Sequence, residues 1–427
     1  PPEADQAALA DRLERWRYHW LAERPGRMTD IDQHLVEALD LAANQLAGRA
    51  ARPPRRPRQA VLSEEATSAC EHPDLSPSCA VLDDARRWLD PSIPLDELTD
   101  RAARTTWAHF GVDDADSRES LTRRRILLYA PIYLSSFCIN ECVYCGFRFD
   151  QSLKRKHLST AEAIGEADIL RQRGFRHLLL VAGDFPRLTR TEYFAEIISR
   201  LHATDICPAI EIAPRTTRSY AELFAAGLCG VTLYQETYNE RLYRQYHPGG
   251  TKAAFDWRLE APERAAEAGA TRLGLGVLLG LAEPRDDVLA MIRHAVYLQR
   301  RFPDCRLAFS LPRIHRAPPD FHPPYAVDDE TFVRLYCALR LTFPDANLVL
   351  STREQPALRD RLTRICITQL SAGSCTAPGG YSQEETDGQF PVHDQRRVDQ
   401  VVGWLQTQGF RTVWDFDELE GCQNKPK

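Results

Sequence analysis

Apolar positions along this chain fall into two textures. Over residues 1–46 they recur at helical spacing, first Leu9, Leu13, Trp16, Trp20 and Leu21, then Ile31, Leu35, Leu39, Leu41 and Leu46, as on one face of a helix. The stretch 48–58 has no apolar period and is rich in arginine and proline. It is expected as a solvated linker. From about residue 95 short apolar runs alternate with helix-like segments. The runs are Ile126–Leu134, His177–Val181, Ala209–Ala213, Gly230–Leu233, Arg272–Leu279, Arg306–Leu311, Asn347–Leu350 and Ile365–Leu370. The intervening segments are Thr160–Arg173, Arg190–His202, Ser219–Ala226, Ala261–Ala268, Arg285–Arg301, Asp328–Thr342 and Gln355–Arg361, and Asp394–Gln408 follows the last run. Strands that alternate with helices indicate parallel βαβ units. Eight such units fit an α/β fold of the (β/α)8 TIM-barrel type, which takes roughly 250 residues. A doubly wound open sheet is the alternative. The division expected is an N-terminal helical extension over 1–94, the barrel over 95–375 and a short C-terminal cap over 376–427.

Composition narrows the function classes. Apolar residues make up 43% of the 427 and charged residues 27%, ordinary for a soluble globular chain. The net charge of −6 gives no reason to expect nucleic acid as a partner. No apolar segment reaches the ~20 residues of a membrane helix. No amino-terminal run combines a basic stretch, an apolar core and a small-residue cleavage site, so reduced thiols and a cytoplasmic location are expected. Twelve cysteines in this length are too few for a disulfide-stapled scaffold. Cys70, His72 and Cys79 lack metal-ligand spacing.

Three cysteines stand apart. Cys138, Cys142 and Cys145 form C-x3-C-x2-C directly after the first strand-like run. Zinc would need a fourth ligand at comparable spacing. The next candidates, His157 and Cys207, are not in such an arrangement. Three thiolates on one loop suit three irons of a [4Fe-4S] cluster and leave the fourth iron open, whereas electron-carrying clusters have four cysteines. In a barrel the end of a strand is where chemistry sits.

The run 128–147, Leu-Tyr-Ala-Pro-Ile-Tyr-Leu-Ser-Ser-Phe-Cys-Ile-Asn-Glu-Cys-Val-Tyr-Cys-Gly-Phe, resembles the radical S-adenosylmethionine (SAM) aromatic-amino-acid lyases. These include the 2-iminoacetate synthase (tyrosine lyase) of thiamine biosynthesis and the tyrosine lyase that matures [FeFe]-hydrogenase. The resemblance extends over roughly 95–418. It runs through Leu178-Leu-Leu-Val-Ala-Gly-Asp184, Glu211-Ile-Ala-Pro214, Tyr234-Gln-Glu-Thr-Tyr238 and His247-Pro-Gly-Gly-Thr-Lys252. Asp256-Trp-Arg258, Gly274 to Leu281, Leu311-Pro-Arg313, Ser371-Ala-Gly-Ser374 and Pro378-Gly-Gly-Tyr381 continue it.

The resemblance implies that SAM chelates the open iron and is cleaved to a 5′-deoxyadenosyl radical, which fragments free L-tyrosine into 2-iminoacetate and p-cresol. It implies cofactor-binding roles for Tyr144 and Phe147 beside the cluster, and for Gly183 and Asp184, where the family usually has Gly-Glu. Glu211, Gln235, Glu236 and Arg258 are implied for the same cofactor. On the substrate side it implies Arg313 as a carboxylate clamp, with Ser371, Ser374 and Tyr133 around it and His247 in the wall. An electron donor such as flavodoxin or ferredoxin and a product-accepting protein are implied partners.

The pattern also departs from its relatives. The maturase has a second C-x2-C near its carboxyl terminus, whereas here Cys366, Cys375 and Cys422 form no C-x2-C pair. That argues against an auxiliary cluster and for a paralogue. Two other functions compete: a radical SAM lyase acting on tryptophan or another amino acid, and a non-catalytic Fe–S carrier.

Overall fold

The computed structural model describes residues 57–62, 79–113, 122–383 and 387–420. The helices expected over 1–46, Cys70, His72 and Cys422 lie outside the described residues. The strands are β1 (Gly111–Asp113), β2 (Thr122–Ser135), β3 (His177–Ala182), β4 (Cys207–Glu211), β5 (Gly230–Glu236), β6 (Arg272–Val277), β7 (Arg306–Ser310), β8 (Asn347–Leu350), β9 (Gln369–Ser371) and β10 (Arg411–Val413). Strands β2 to β9 pair in sequence order, all in parallel. β9 returns to β2 with Leu127 opposite Gln369, Leu128 opposite Leu370 and Tyr129 opposite Ser371. That closure makes an eight-stranded parallel barrel and excludes the open sheet.

Each apolar run became a strand because a barrel strand is covered on both faces. One face packs the barrel interior and the other the helix layer, so the run reads as continuously apolar. Ile126, Leu128, Ala130, Leu178, Leu180 and Leu275 are all buried. Around them lie helices Thr160–Gln172, Thr191–His202, Thr217–Ala225, Ala261–Glu267, Pro284–Arg301, Asp329–Thr342 and Pro356–Ile365. Their starts carry side-chain caps where the sequence supplies them. Ser159 and Glu162 form a reciprocal capping box, and Asp328 accepts from the Thr331 amide. The eighth run is shorter than its apolar pattern because Ile365 ends a helix and the strand begins at Gln369. Buried Arg340 caps that junction, donating to the carbonyls of Pro344 and Ala346 at 2.8 Å and of Cys366 at 3.0 Å.

The flanking segments close the barrel. Pro57 and Arg58, expected as the end of the linker, instead begin helix Pro57–Leu62. Arg58 pairs with Glu240 at 2.5 Å and Asp256 at 2.7 Å. Helices Cys79–Trp88 and Leu95–Phe110 pack on Asp329–Thr342. At the amino-terminal end of the barrel, β10 adds in parallel to the start of β2. The following helix, Phe416–Glu420, sets Phe416 against His177 with ring centroids 4.6 Å apart. The opposite mouth, where the strands end, is left for chemistry. Among the described residues no helix is long and apolar enough to cross a membrane.

One buried ion pair ties the C-terminal segment to this mouth. Arg359, on helix Pro356–Ile365, meets the Asp394 carboxylate and the Ser371 carbonyl, and Asp394 is completely buried. Arg359→Met is expected to cost on the order of 3 kcal/mol, the lower end for a broken buried pair, because Arg396 still holds Asp394 at 2.6 Å. Urea denaturation checks this; a loss below about 1 kcal/mol, as for an exposed ion pair, would refute it.

Candidate active site

The cysteine loop leaves β2 after Ser135 and is pinned by the chain just past β3 and by the end of helix Glu240–Tyr246. Ile139 N donates to Asp184 O at 2.8 Å, Val143 N to Tyr246 O at 3.1 Å and Gly183 N to Ser135 O at 2.9 Å. A Cβ on Gly183 would sit 2.4 Å from the Phe137 carbonyl oxygen, so only glycine lets β3 approach the loop this closely. From the other side Arg155 donates to the carbonyls of Phe147 at 3.2 Å, Arg148 at 2.7 Å and Phe149 at 3.1 Å. The loop's shape is therefore set by its backbone, and its thiols are left for ligation.

Cys138, Cys142 and Cys145 line one cavity of about 830 Å³, part of it open to solvent. Burial pushes the Cys138 thiol up to about 11, and Cys142 rises further for the same reason. Thiols so desolvated stay protonated until a metal displaces the protons. Among the described residues no three His, Cys, Asp or Glu side chains converge as a single ion requires. Zinc needs ligands about 2.0–2.3 Å from one point; the corners of an iron–sulfur cube do not. Backbone amides already point at two sulfurs, Asn140 N at Cys138 Sγ (3.5 Å) and Phe147 N at Cys145 Sγ (3.4 Å). The donor set fits a cluster with one open iron.

Most of the expected cofactor residues line the same cavity: Tyr144, Phe147, Gly183, Asp184, Glu211, Glu236 and Arg258. Their local settings differ. Tyr144 OH bonds His247 Nε2 at 2.8 Å, while His247 Nδ1 meets Tyr243 O at 2.7 Å. Burial holds His247 well below the usual imidazole range. It is thus neutral, donates from Nδ1 and accepts from Tyr144. His247 stands behind Tyr144 rather than in the wall where it was expected. The shorter acid Asp184 spends one oxygen on Thr251 and lies 3.5 Å from Asn140 Nδ2.

Glu236 has φ 72° at the irregular end of β5, an uncommon conformation for a residue with a Cβ. Its carboxylate receives Lys252 Nζ at 2.6 Å and Arg258 Nη2 at 3.4 Å. Gln235, beside it, is not brought to the cavity. Strand residues alternate sides, so Tyr234 and Glu236 face inward while the Gln235 amide turns to the Phe255 carbonyl at 3.5 Å.

The substrate-side expectations need correction at Arg313. Its guanidinium is occupied: Nε and Nη2 go to Glu354, Nη1 to Val327 O at 3.0 Å, and Nη2 also to Asp329 at 2.9 Å. It does not line the cavity. A buried clamp already closed on a protein carboxylate has no fork left for a ligand. Ser371 is likewise engaged, accepting from Thr352 N at 2.9 Å. The Ser374 hydroxyl is buried with no hydrogen-bond partner and stands off the cavity. Tyr133 packs edge-on against Phe147 and donates to Gln389 Oε1 at 3.1 Å.

The sequence reading overlooked Arg353, Lys252, Gln389 and Phe390, all of which line the cavity. Arg353 follows β8 by three residues, the same strand-end signal that selected Arg313. Among the described residues no carboxylate pairs with its guanidinium, which lies 3.6 Å from the centre of the Phe390 ring. Glu211 faces it across the cavity. Burial raises the Glu211 carboxyl to about 7, and Arg353 opposes that rise.

The description "Radical SAM superfamily" matches residues 132–295, and "Biotin and Thiamin Synthesis associated domain" matches residues 310–411. The chain is 37% identical over 352 residues to the 2-iminoacetate synthase of Escherichia coli K12, covering 81% of this chain and 90% of that protein. Among solved structures it resembles HydG, a maturase of the [FeFe]-hydrogenase, with TM-score 0.72 and 30% identity over 85% of this chain and 80% of that one. Methylornithine synthase (PylB) shares the fold at TM-score 0.61 and 18% identity, over 84% of this chain and 97% of that one.

Proposed function

This chain belongs to the 2-iminoacetate synthase family of radical SAM carbon–carbon lyases, which use a [4Fe-4S] cluster and SAM, and from that premise we propose that it cleaves the Cα–Cβ bond of free L-tyrosine to 2-iminoacetate and p-cresol. One observation carries the amino-acid assignment: the cavity that holds the three cysteines also holds Arg353, a guanidinium with no carboxylate partner among the described residues. A guanidinium fork matches a carboxylate bidentately.

When bound, the cluster and SAM supply a 5′-deoxyadenosyl radical. The chain's own residues do the rest. Arg353 takes the substrate carboxylate. Glu211, opposite, accepts from the amino group and fixes its direction. Val181, Ile212, Leu278 and Phe390 form apolar walls that keep water from a reactive intermediate. Holding the amine in one place is a large part of the rate. Tyr144, Phe147, Gly183, Asp184, Glu236 and Arg258 surround the cofactor in this reading. The described residues of 95–375 form the barrel, and those of 376–420 cap it at both ends through Phe390 and Phe416. A flavodoxin or ferredoxin supplies electrons in the cytoplasm.

The test is an anaerobic assay of the reduced, SAM-loaded protein against each of the twenty amino acids. p-Cresol and glyoxylate, the hydrolysis product of 2-iminoacetate, are expected with L-tyrosine. Deoxyadenosine from tyrosine without p-cresol, alongside fragments from tryptophan or another amino acid, would move the substrate to that amino acid. No deoxyadenosine with any of them would leave only a non-catalytic role.

A further inference from the structure

Gln389 lies in a stretch of the C-terminal segment with neither helix nor strand, yet its side chain ends between the cavity wall and the cysteine loop. Its amide oxygen accepts from the Tyr133 hydroxyl at 3.1 Å, and its amide nitrogen donates to Cys145 Sγ at 3.3 Å. The backbone there is held independently of this side chain. Gln389 N donates to Thr376 O at 2.9 Å, and Thr376 Oγ1 donates to Phe390 O at 2.7 Å. The approach is close: a Cβ on Gly146 would lie 2.6 Å from the Gln389 carbonyl oxygen. Tyr133 is buried and braced edge-on by Phe147 at 6.0 Å, which fixes the direction of its hydroxyl. With its oxygen so engaged, the amide turns its N–H towards the sulfur.

A hydrogen bond to a cluster thiolate stabilises the reduced, more negative state and raises the potential. We propose that Gln389, oriented by Tyr133, is a positioning residue that sets the reduction potential of the cluster held by Cys145 and, because its own side chain lines the amino-acid cavity, makes that potential respond to occupancy of the cavity. This rests on the cluster and amino-acid roles given above. The consequence is economical radical chemistry, in which an empty cavity leaves the Tyr133–Gln389–Cys145 chain in one setting and an amino acid against Gln389 puts it in another.

The experiment measures the cluster's midpoint potential by anaerobic redox titration with electron paramagnetic resonance. The samples are reconstituted wild type, Gln389→Met and Tyr133→Phe, each with and without L-tyrosine. Met matches Gln in length and removes the N–H. The Gln389→Met potential is expected to fall below wild type. L-Tyrosine is expected to shift the wild-type potential and to leave Gln389→Met unshifted, and the ligand-free potential of Tyr133→Phe, in which the Gln389 amide has lost its brace, is expected to fall part of the way. A Gln389→Met potential equal to wild type, a full tyrosine-induced shift in Gln389→Met, or a ligand-free Tyr133→Phe potential equal to wild type overturns the proposal. Should Gln389→Met take up no iron, Gln389→Glu replaces it; a carboxylate oxygen at the sulfur is expected to lower the potential further, and an unchanged value overturns the proposal. Calorimetry of L-tyrosine with wild type separates the two readings. Absent binding removes the substrate assignment, while the ligand-free potentials still decide the role of Gln389.

Discussion

Replacing Cys142 with alanine abolishes the iron–sulfur absorbance of the reconstituted protein and lowers deoxyadenosine formation by at least about a thousandfold, roughly 4 kcal/mol of barrier. The reason is ligand count. Three thiols line the cavity, and a cube left with two protein ligands lacks the third iron's anchor. The loss is chemical, because the loop is not held by its sulfurs. Its amides at Ile139 and Val143 bond neighbouring carbonyls, and Arg155 gathers its own carbonyls. Unfolding stability should change by only about 1 kcal/mol, an ordinary value for a single substitution. Cys305 gives the control. It is equally buried but donates to the Ala270 carbonyl at 3.3 Å, far from the mouth. Cys305→Ala should keep a full complement of iron. Retention of a complete cluster in Cys142→Ala would sink the assignment of these cysteines.

The barrel was legible because its strands are buried on both sides, so continuous apolar runs alternate with helix-like segments along one chain. Ile126–Leu134 reads as a strand from composition alone. The short elements left weaker marks. β10 is three residues long and helix Glu240–Tyr246 seven, below the length at which a period can be recognised. The site was legible as far as strand ends carry motifs, which placed the three cysteines, Tyr144, Gly183, Glu211, Glu236 and Arg258 around one cavity. What single-chain reading could not supply was pairing. Gln235 and Glu236 are adjacent letters, and only the pleat and the irregular end of β5 decide which one faces inward. Arg313 and Arg353 occupy equivalent strand-end places, and their character depends on whether an acid stands across from them. Glu354, immediately after Arg353 in the chain, serves Arg313 instead.

That difference sets up the second large effect. Arg353→Leu should raise the KM for the amino acid by about two to four orders of magnitude, from two charge-assisted hydrogen bonds of roughly 1.5–3 kcal/mol each. Cluster content and thermal stability should stay near wild type, since among the described residues no carboxylate forms an ion pair with Arg353. The substitution also removes the charge that holds the Glu211 carboxyl down from a still higher value. The pH profile of amino-acid binding should therefore move upward, because Glu211 then ionises at higher pH. Arg353→Lys keeps the charge without the planar fork and should recover part of the affinity. Arg313→Leu should behave in the opposite way. It strips Glu354, buried with 2% of its side chain exposed, of its main partner and leaves His315 at 3.0 Å as the remaining one. The expected cost is about 3–5 kcal/mol of stability, with little change in KM for the molecules that remain folded. If Arg313→Leu instead raises KM at unchanged stability while Arg353→Leu binds the amino acid normally, the clamp belongs to Arg313, and Arg353 is only the guanidinium that stacks on Phe390.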